Sequence, residues 1–388
     1  IRTRSNFVLS VKMQFSCNQD TFSKYLNTIS RVVNSKPGLP ILNNALFETK
    51  NGRLNMTATD LEISLNTWIG AEVRSEGKLT VPAKQLAEFV NSVPNEKIDV
   101  TLNENVLDVS TVNNSAQFNT IPADDYPSVA SISDQEPLLK LTMDDVLTTV
   151  NRVAFSASTD DIRPVMTGIK LEIKEDTVAF IGADGLRLSR QIVKLFEKAS
   201  QDLELLIPAK AFQELAHIVS EFANDNSNNT VSLYLIEDRN QVVFRYNDID
   251  LISRLIDGQY PAYQQAIPTG YQTKSEINRA EFQNALKVVN IIARGVLGNK
   301  LYVEMDPKEN VIRMSASQAD LGSNESSFPV KIEGEPMRMA FSSKLLADML
   351  GHIGGDDIIF ESSSPTSAGV FKVKGDDSFL HLVMPMRL

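Results

Sequence analysis

The chain is poor in the residues that metal, redox and disulfide chemistry need. It has one cysteine, Cys17, and three histidines among 388 residues. A single cysteine cannot form an intrachain disulfide, which favours a reducing, cytoplasmic compartment. The histidines, His217, His352 and His381, are far apart and form no His-x-x-x-His pair. The sequence therefore predicts neither a zinc site nor any other cofactor.

Several other patterns are also missing. No apolar run approaches the ~20 residues of a membrane-spanning helix, so no membrane partner is expected. There is no Gly-x-x-x-x-Gly-Lys-Ser/Thr loop and no Gly-x-Ser-x-Gly elbow. Acidic residues outnumber basic residues by 49 to 38, for a formal charge of −11. This balance argues against a protein that grips phosphates over its whole surface, although it allows a local basic stripe.

What the chain does contain is a phrase written three times. It begins at Val81, recurs at Ile207 and returns more faintly at Phe341, in steps of 126 and 134 residues. A second phrase keeps nearly the same step and places Asp60, Asp184 and Asp320 in apparent equivalence. A period this long equals one globular domain. We expect three copies of one domain, over residues 13–134, 135–270 and 271–388.

Each repeat has the pattern of an α+β unit. It opens with apolar residues at helical spacing, as in Phe22, Leu26 and Ile29. The repeated phrase predicts a second helix, with Pro82 or Pro208 in its first turn. Alternating segments broken by turns such as Asn51-Gly52 predict hairpins. The expected fold class is α+β, with two helices and roughly eight strands per domain and the helices on one face of antiparallel sheet.

The first twelve residues stand apart from this pattern. The chain starts at Ile1, and residues 1–12 are short, basic and without a cleavage pattern. We interpret them as a leader or non-native segment before a start at Met13, with a transit peptide as the weaker alternative.

In this order, the phrases resemble one family, the bacterial sliding clamps or beta subunits of DNA polymerase III, over essentially all of residues 13–388. The phrases that carry the resemblance are Leu39-Pro40-Ile41-Leu42-Asn43, Thr57-Ala58-Thr59-Asp60-Leu61-Glu62, the Pro-Ala-Lys helices, Ala183-Asp184-Gly185-Leu186-Arg187-Leu188, Asp257-Gly258-Gln259-Tyr260-Pro261 and Val383-Met384-Pro385-Met386-Arg387-Leu388.

The resemblance implies a non-catalytic processivity factor. Two copies would form a head-to-tail homodimer whose six domains close a ring around duplex DNA, with helices inside and sheet outside. Implied partners are double-stranded DNA without sequence preference, the replicative DNA polymerase III, the clamp loader, and other clamp-motif proteins such as repair polymerases, ligase and mismatch-repair proteins. The implied location is the bacterial cytoplasm, at the nucleoid.

A ring held by topology needs only a modestly basic bore, which agrees with the acidic balance. The candidate DNA-facing residues are the bases on the repeated helices, together with a base that the resemblance places before Pro37: Lys24, Arg31, Lys36, Lys84, Arg152, Lys210, Arg279, Lys287, Arg294 and Lys344. For any one of them, an ordinary solvated surface role is the alternative.

The resemblance also implies a cleft for a Gln-Leu-x-Leu-Phe-type peptide between the second and third domains. Carried over by position, its residues are Met166, Ala183, Gly185, Leu186, Arg187, Leu188, Pro261, Ala266, Ser342, Leu345, Leu382, Met384, Pro385, Met386 and Arg387. Methionines suit a groove that accepts many ligands. As an alternative, the terminal methionines fill the core of the third domain.

The chain departs from the family at several of these places. The family often has histidine where Leu186 stands, tyrosine where Leu345 stands and a basic residue where Gln265 stands. Pro164 and Val165 replace aromatic residues that touch DNA in some relatives. The cleft is therefore expected to be more apolar, and DNA contact from that loop weaker.

Ring closure needs the first domain of one copy to meet the third domain of the other. We expect apolar anchors at this interface: Phe118, on an edge strand, and Ile291 with Ile292, on a third-domain helix.

Two other function classes stay open from the residues alone. A carboxylate-dependent hydrolase would use Asp60, Asp184 and Asp320, one per repeat, although a turn-forming role suits such residues better. A scaffold without any DNA role is the other possibility.

Overall fold

The computed structural model describes residues 11–33, 39–132, 135–224 and 229–387. They form two compact units. Unit 1 comprises the described residues up to Met143 together with His217–Arg254, and unit 2 comprises Asp144–Ala216 and the described residues from Leu255 onward. Lys36 and residues 1–10 lie outside the described residues, so the predictions made for them do too.

The described residues contain six α-helices: α1 Gln19–Val32, α2 Ala83–Ser92, α3 Met143–Val153, α4 Ala209–Glu221, α5 Arg279–Ala293 and α6 Ser343–His352. The periodicity that predicts the first helix of each repeat is confirmed, because Phe22, Leu26 and Ile29 form the buried stripe of α1. None of these helices is at once long and apolar enough to cross a bilayer.

Helix starts follow the local chemistry with one correction. The Asn278 side chain accepts hydrogen bonds from the N–H groups of Ala280 and Glu281, which begins α5. Placing Pro82 and Pro208 in a first helical turn is wrong by one position, since each is the last residue of a strand. Pairing of Pro82 with Asn44 keeps that proline in the sheet, at a strand end where a missing N–H costs least.

The strands are short and antiparallel throughout the described part of the chain. In chain order they are β1 Val11–Asn18, β2 Asn44–Lys50, β3 Arg53–Thr59, β4 Ile63–Gly70, β5 Glu72–Ser75, β6 Lys78–Pro82, β7 Lys97–Asn103, β8 Val106–Ser110, β9 Ser115–Asn119, β10 Leu139–Thr142, β11 Gly168–Lys174, β12 Thr177–Ala183, β13 Arg187–Lys194, β14 Leu203–Pro208, β15 Thr230–Ile236, β16 Gln241–Tyr246, β17 Ile249–Arg254, β18 Thr273–Asn278, β19 Lys300–Asp306, β20 Val311–Gln318, β21 Gly322–Pro329, β22 Lys331–Gly334, β23 Met337–Ser342, β24 Asp357–Ser362, β25 Gly369–Val373 and β26 Asp376–Val383.

Unit 1 holds two sheets. One has the order β5-β1-β7-β8-β9, and the other has the order β10-β15-β16-β17-β4-β3-β2-β6. The predicted hairpin between β2 and β3 is confirmed: Lys50 pairs with Arg53, and Asn51 and Gly52 both have positive φ, as a two-residue turn requires.

Unit 2 also holds two sheets, with the orders β14-β11-β12-β13-β26-β25-β24-β18-β22 and β21-β20-β19-β23. An apolar cluster of unit 2 packs α5 and α6 against both sheets. In that cluster Phe360 stacks on Phe371 with ring centroids 4.6 Å apart. The α+β class with antiparallel sheets is confirmed.

Two sheets continue across the predicted domain borders. In unit 1, β17 of the predicted second domain pairs with β4 of the first, with Leu251 opposite Leu65. In unit 2, β13 of the second domain pairs with β26 of the third, with Leu188 opposite Leu382. The predicted second domain is thereby shared between the units, and the three domain ranges stay a prediction.

Candidate functional site

A tight turn between β12 and β13 carries Gly185 and Leu186 of the predicted peptide cleft. The Asp184 carboxylate accepts the N–H groups of Leu186 at 2.8 Å and Arg187 at 3.0 Å. Gly185 has φ +93°, a conformation that a side chain would strain. The turn leaves Leu186 60% exposed, although an apolar side chain of this size is normally buried.

The same turn explains the aspartates considered for hydrolysis. In unit 1, the Asp60 carboxylate accepts the N–H groups of Glu62 at 3.0 Å and Ile63 at 2.8 Å. In the third repeat the side chain of Gln318 takes this role, accepting the N–H of Asp320 at 3.1 Å. The equivalence of Asp320 with Asp60 is therefore wrong by two residues. Asp60 and Asp184 are turn-forming residues, and the repeats do not each supply a carboxylate.

Arg187, the first residue of β13, is held on three sides. Its Nε donates to Asp184 at 2.9 Å, and a terminal nitrogen donates to Asp348 of α6 at 2.8 Å. Its guanidinium carbon lies 5.3 Å from the centre of the Phe155 ring. Only 13% of the side chain is exposed. A planar fork between two carboxylates and a ring face is an arrangement that arginine suits better than lysine.

The C-terminal tail after β26 lies against this turn. The Met384 N–H donates to the carbonyl of Leu186 at 2.8 Å, and the Met386 N–H donates to Ala340 at 2.7 Å. The Met386 methyl group packs so closely over Gly298 that a Cβ there would lie 2.6 Å away. Pro385 lies between these two anchors, and the carbonyl of Arg387 accepts a hydrogen bond from Lys300. Met384 stays 39% exposed, so it is not core filler.

Four of the predicted cleft residues are buried together. Met166, Ala183, Leu188 and Leu382 are buried in one cluster of unit 2 with Tyr260 and Tyr263. Pro261 and Ala266, by contrast, are exposed. Leu345 of α6 packs against the large core cluster, and Ser342 ends β23.

An open pocket of about 580 Å³ adjoins Met384. Ala266 and Met384 are the predicted residues that line it, while Ser342, Leu345 and Met386 do not. The rest of the wall carries no formal charge. It comprises Gln265, already noted as a departure from the family, and residues that the sequence analysis missed: Pro268, Thr269, Gly270, Tyr271, Gln272, Ser363, Ser367 and Ala368. Among these, Tyr271 is a usable signal, because it is an aromatic residue that directly follows a Pro-Thr-Gly segment.

Two histidines that are distant in sequence meet at one ring. His352 stacks on Phe155 at 4.4 Å between centroids, and His381 stacks on it at 5.3 Å. His381 Nδ1 shares a 2.8 Å hydrogen bond with Ser189, which in turn bonds Ser156. Burial lowers the pKa of His381 from 6.5 to about 3 and also lowers the pKa of His352. No group of three or more potential ligands among the described residues could hold a metal ion.

The candidate DNA-facing residues fall into two groups. Lys84, Lys210 and Lys344 are exposed, and each is the second residue of its helix, α2, α4 or α6. Lys287 and Arg294 of α5 are also exposed. Of the candidates on α1 and at the start of α5, Lys24 lies over the Phe222 ring, Arg31 pairs with Glu221, and Arg279 donates to the carbonyl of Gly355.

Arg152 departs most from its predicted role. It pairs with Asp376 at 2.7 Å, bonds Gln191 at 3.0 Å and lies over the Phe379 ring. Its side chain is 14% exposed. This guanidinium serves packing within unit 2, so we do not carry Arg152 forward as a DNA-facing residue.

The candidate interface residues also differ from one another. Phe118 is half-buried on β9, the last strand of its sheet, and its ring packs edge-on against Phe89. Ile291 of α5 is 62% exposed. Ile292 instead packs against the core of unit 2, because it lies on the inner side of the same helix. Ile292 is therefore not a free anchor.

Sequence profiles of three DNA polymerase III beta-subunit domains match the chain in order. The N-terminal domain profile matches residues 13–130, the central domain profile residues 140–262 and the C-terminal domain profile residues 264–387. The chain is 31% identical over 383 residues to the beta sliding clamp of Synechococcus elongatus, covering 97% of this chain and 100% of that protein. It is 26% identical to the beta sliding clamp of Staphylococcus aureus, covering 97% of this chain and 99% of that protein.

Solved structures show the same fold. A DNA polymerase sliding clamp from Bacillus subtilis superimposes with a TM-score of 0.91 at 22% identity, covering 97% of this chain and 100% of that one. The DNA polymerase III beta subunit from Thermotoga maritima gives a TM-score of 0.89 at 24% identity, with the same coverage. A clamp from Pseudomonas aeruginosa bound to griselimycin also gives 0.89, at 24% identity and the same coverage.

The buried His381 makes stability depend on pH. Because the pKa of His381 is lower in the folded state, the contribution of this group to the free energy of unfolding is complete above about pH 6.5. That contribution is lost as the pH falls toward 3. One such group changes the free energy of unfolding by about 1.4 kcal/mol per pH unit in that window. His381→Leu should flatten the slope measured by urea unfolding between about pH 6 and pH 4. His217→Leu, at an exposed histidine of α4, is the control, and equal slopes in both variants would contradict the assignment.

Proposed function

Because the chain belongs to the DNA polymerase III beta-subunit family, we propose that two copies close head to tail around duplex DNA and that a cleft in unit 2 of each copy binds partner peptides. The chain itself is a DNA sliding clamp with the three-domain clamp fold. It gives a DNA polymerase processivity and catalyses no reaction. Three features of the chain support the proposal: the strand pairing across its predicted domain borders, the lysines in the first turn of three helices and the apolar groups beside Met384.

Ring closure is supported by the way in which strands pair at the two predicted domain borders. At each border, the last strand of a three-stranded segment from one domain pairs with the last strand of such a segment from the next domain, and we call this pairing the joint. At the border of the first and second domains, β4, the last strand of β2-β3-β4, pairs with β17, the last strand of β15-β16-β17. At the next border, β13, the last strand of β11-β12-β13, pairs with β26, the last strand of β24-β25-β26. This repeated joint is the observation that carries the proposal.

Within the part of the chain that the structure describes, two strands in the equivalent position have no such pairing partner. They are β21, the last strand of the segment β19-β20-β21, and β9, the last strand of the segment β7-β8-β9. Each ends its sheet among the described residues. An unpaired edge is a template for another chain. Pairing β21 of one copy with β9 of the next repeats the joint head to tail, and two copies close a ring of six domains.

Apolar groups lie beside both edges. Val288 and Ile291 are exposed and three residues apart on α5, so they share a face. The Asn324 side chain of β21 donates to the carbonyl of Val288, which places that face next to the β21 edge. Beside β9 lies a pocket of about 500 Å³ lined by Phe118, Lys84, Val33 and Pro40 among others. We propose that this pocket receives apolar side chains of the partner copy.

Ile291→Asp should therefore weaken the dimer, because a carboxylate would be buried without a partner at the interface. We expect at least a tenfold rise in the dimer dissociation constant by analytical ultracentrifugation, about 1.4 kcal/mol or more. Ile162→Asp is the control, since Ile162 is also strongly exposed but lies in the loop between α3 and β11. An Ile291→Asp protein as dimeric as the control would place the interface elsewhere.

DNA contact is supported by the unusual position of three lysines. Lys84, Lys210 and Lys344 lie in the first turn of α2, α4 and α6. A cation there opposes the helix dipole and costs about 0.3–1 kcal/mol. Three exposed lysines at equivalent places suit contact with an anionic partner. Lysine and the helix N-terminus together attract phosphate.

Retention on circular DNA tests both the ring and the lysines. The loaded protein should stay on a nicked circular plasmid in gel filtration and be lost when the plasmid is cut, because the hold is topological. Reversing Lys84, Lys210 and Lys344 together to Glu should reduce retention or loading severalfold, most strongly at low salt. Reversing Lys50, Lys194 and Lys308, which are exposed on strands or turns, changes the net charge equally and is the control. Equal loss in both triple variants would assign the effect to net charge, and retention on cut DNA would contradict the ring.

The peptide cleft is supported by exposed apolar groups that main-chain hydrogen bonds hold in place. Leu186 and Met384 are joined through their backbones, and the pocket beside Met384 is lined by uncharged groups. A concave site that combines apolar groups with uncharged polar groups suits a short peptide with leucine, phenylalanine and glutamine side chains. We propose that the other predicted cleft residues form the floor or the rim of this site.

Met384→Ala with Met386→Ala should lower affinity for the peptide Gln-Leu-Ser-Leu-Phe roughly tenfold or more, because each lost contact costs about 1–3 kcal/mol. Isothermal titration calorimetry measures the change. The control is Phe196→Ala, which truncates an exposed aromatic residue beyond the far end of β13. Unchanged affinity in the double variant would show that the peptide binds elsewhere.

The finer assignments belong to the same proposal. The expected partners are the replicative DNA polymerase III, the clamp loader and other clamp-motif proteins, which would compete for one cleft. The three domains are assigned to residues 13–134, 135–270 and 271–388. The proposed site of action is the nucleoid in the cytoplasm.

A further inference from the structure

The walls of the proposed cleft come from three separate parts of unit 2. They are the turn before β13, the C-terminal tail and α6. Main-chain hydrogen bonds join the tail to the turn at Leu186 and to β23 at Ala340. The turn and α6 are joined differently, through the side chain of Arg187.

Arg187 reaches both walls at once. It binds Asp184 inside the turn and Asp348 on α6, at 2.9 and 2.8 Å. Asp348 lies three residues after Leu345, on the same side of the helix. The guanidinium lies over the Phe155 ring, and His352 at the end of α6 stacks on the same ring. These contacts use two of the five N–H donors of the guanidinium, and only 13% of the side chain remains exposed.

We propose that Arg187 and Asp348 are positioning residues: their ion pair fixes the turn against α6, so that Leu186 and Met384 are held ready for a peptide. This inference rests on the proposed peptide cleft. Arg187 acts through the geometry of the turn and need not touch the partner. Affinity then depends on Asp348, a residue that does not line the pocket beside Met384.

Unit 2 offers a matched control for this idea. Arg152 and Asp376 form a second ion pair at 2.7 Å, also between the predicted second and third domains, with an arginine side chain that is 14% exposed. In the Arg187–Asp348 pair the nitrogen–oxygen distance is 2.8 Å and the arginine side chain is 13% exposed. Both arginines also lie over a phenylalanine ring. The pairs differ in that only Arg187 belongs to the turn that carries Leu186.

The experiment compares Asp348→Asn with Asp376→Asn. Each change removes a carboxylate charge and keeps the size of the side chain. We expect Asp348→Asn to lower affinity for a fluorescent Gln-Leu-Ser-Leu-Phe peptide roughly fivefold or more, as for groups that couple through direct contact. Asp376→Asn should stay within about twofold of the original protein. Asp348→Glu keeps the charge and should recover part of the affinity.

A second readout does not depend on peptide. Hydrogen exchange of the Met384 amide, which donates to Leu186, should accelerate in Asp348→Asn and not in Asp376→Asn. If Asp348→Asn does not fold, Arg187→Lys gives the same test, because lysine keeps the charge without the planar fork.

The outcomes separate the alternatives. Unchanged or higher peptide affinity in Asp348→Asn would overturn the inference and point to Arg187 as a direct peptide ligand, released from its partner. Equal losses in the two Asn variants would also overturn it, in favour of general loosening of unit 2. If the original protein binds no peptide, the proposed cleft fails, while exchange at Met384 still decides whether Asp348 positions the turn.

Discussion

Antiparallel pairing of strands across repeat borders is the constraint on which the rest of the structure depends. β4 with β17 and β13 with β26 are joined by main-chain hydrogen bonds, which need no particular side chains. This explains how three repeats with only faint sequence similarity keep the same joint. It also makes these two sheets each belong to two predicted domains, so that hydrogen bonding continues across both domain borders.

The candidate cleft is a consequence of the second joint. Pairing of β13 with β26 brings the turn of Asp184 next to the chain end, where the Leu186 carbonyl is available to Met384. Asp60 forms the same turn in unit 1. There Ile63 and Glu62 stand where Arg187 and Leu186 stand, so this turn lacks the cationic side chain, and its exposed apolar residue is Leu61, at the place of Gly185. These side chains distinguish the turn of the candidate cleft from the same turn in unit 1.

Local features of the sequence predicted the helices, the Asn51-Gly52 hairpin and the antiparallel α+β class, since these depend on periodicity and on turn conformation. The resemblance added the candidate residues of the cleft, but it did not reveal which of them are buried or what they contact. That Ile292 is buried while Ile291 is exposed depends on the exact face of α5, and a pair of adjacent isoleucines does not reveal it. The partners of Arg152 and Arg187 and the meeting of two histidines at Phe155 arise from strand pairings about two hundred residues apart. Gln318 shows a different limit of sequence comparison. An amide stands in this turn where the other repeats have a carboxylate, so the nearby Asp320 aligns with Asp60 in its place.

The edges of β9 and β21 have a thermodynamic consequence for the proposed ring. The two joints within a chain are intramolecular, so their strands remain at a high effective concentration however dilute the protein is. A joint between copies has no such tether and is governed by the concentration of the protein itself. Dilution would therefore separate the ring at the β9–β21 joints while every other sheet stayed whole. Any factor that opens the ring to admit DNA would meet least resistance at the same strands.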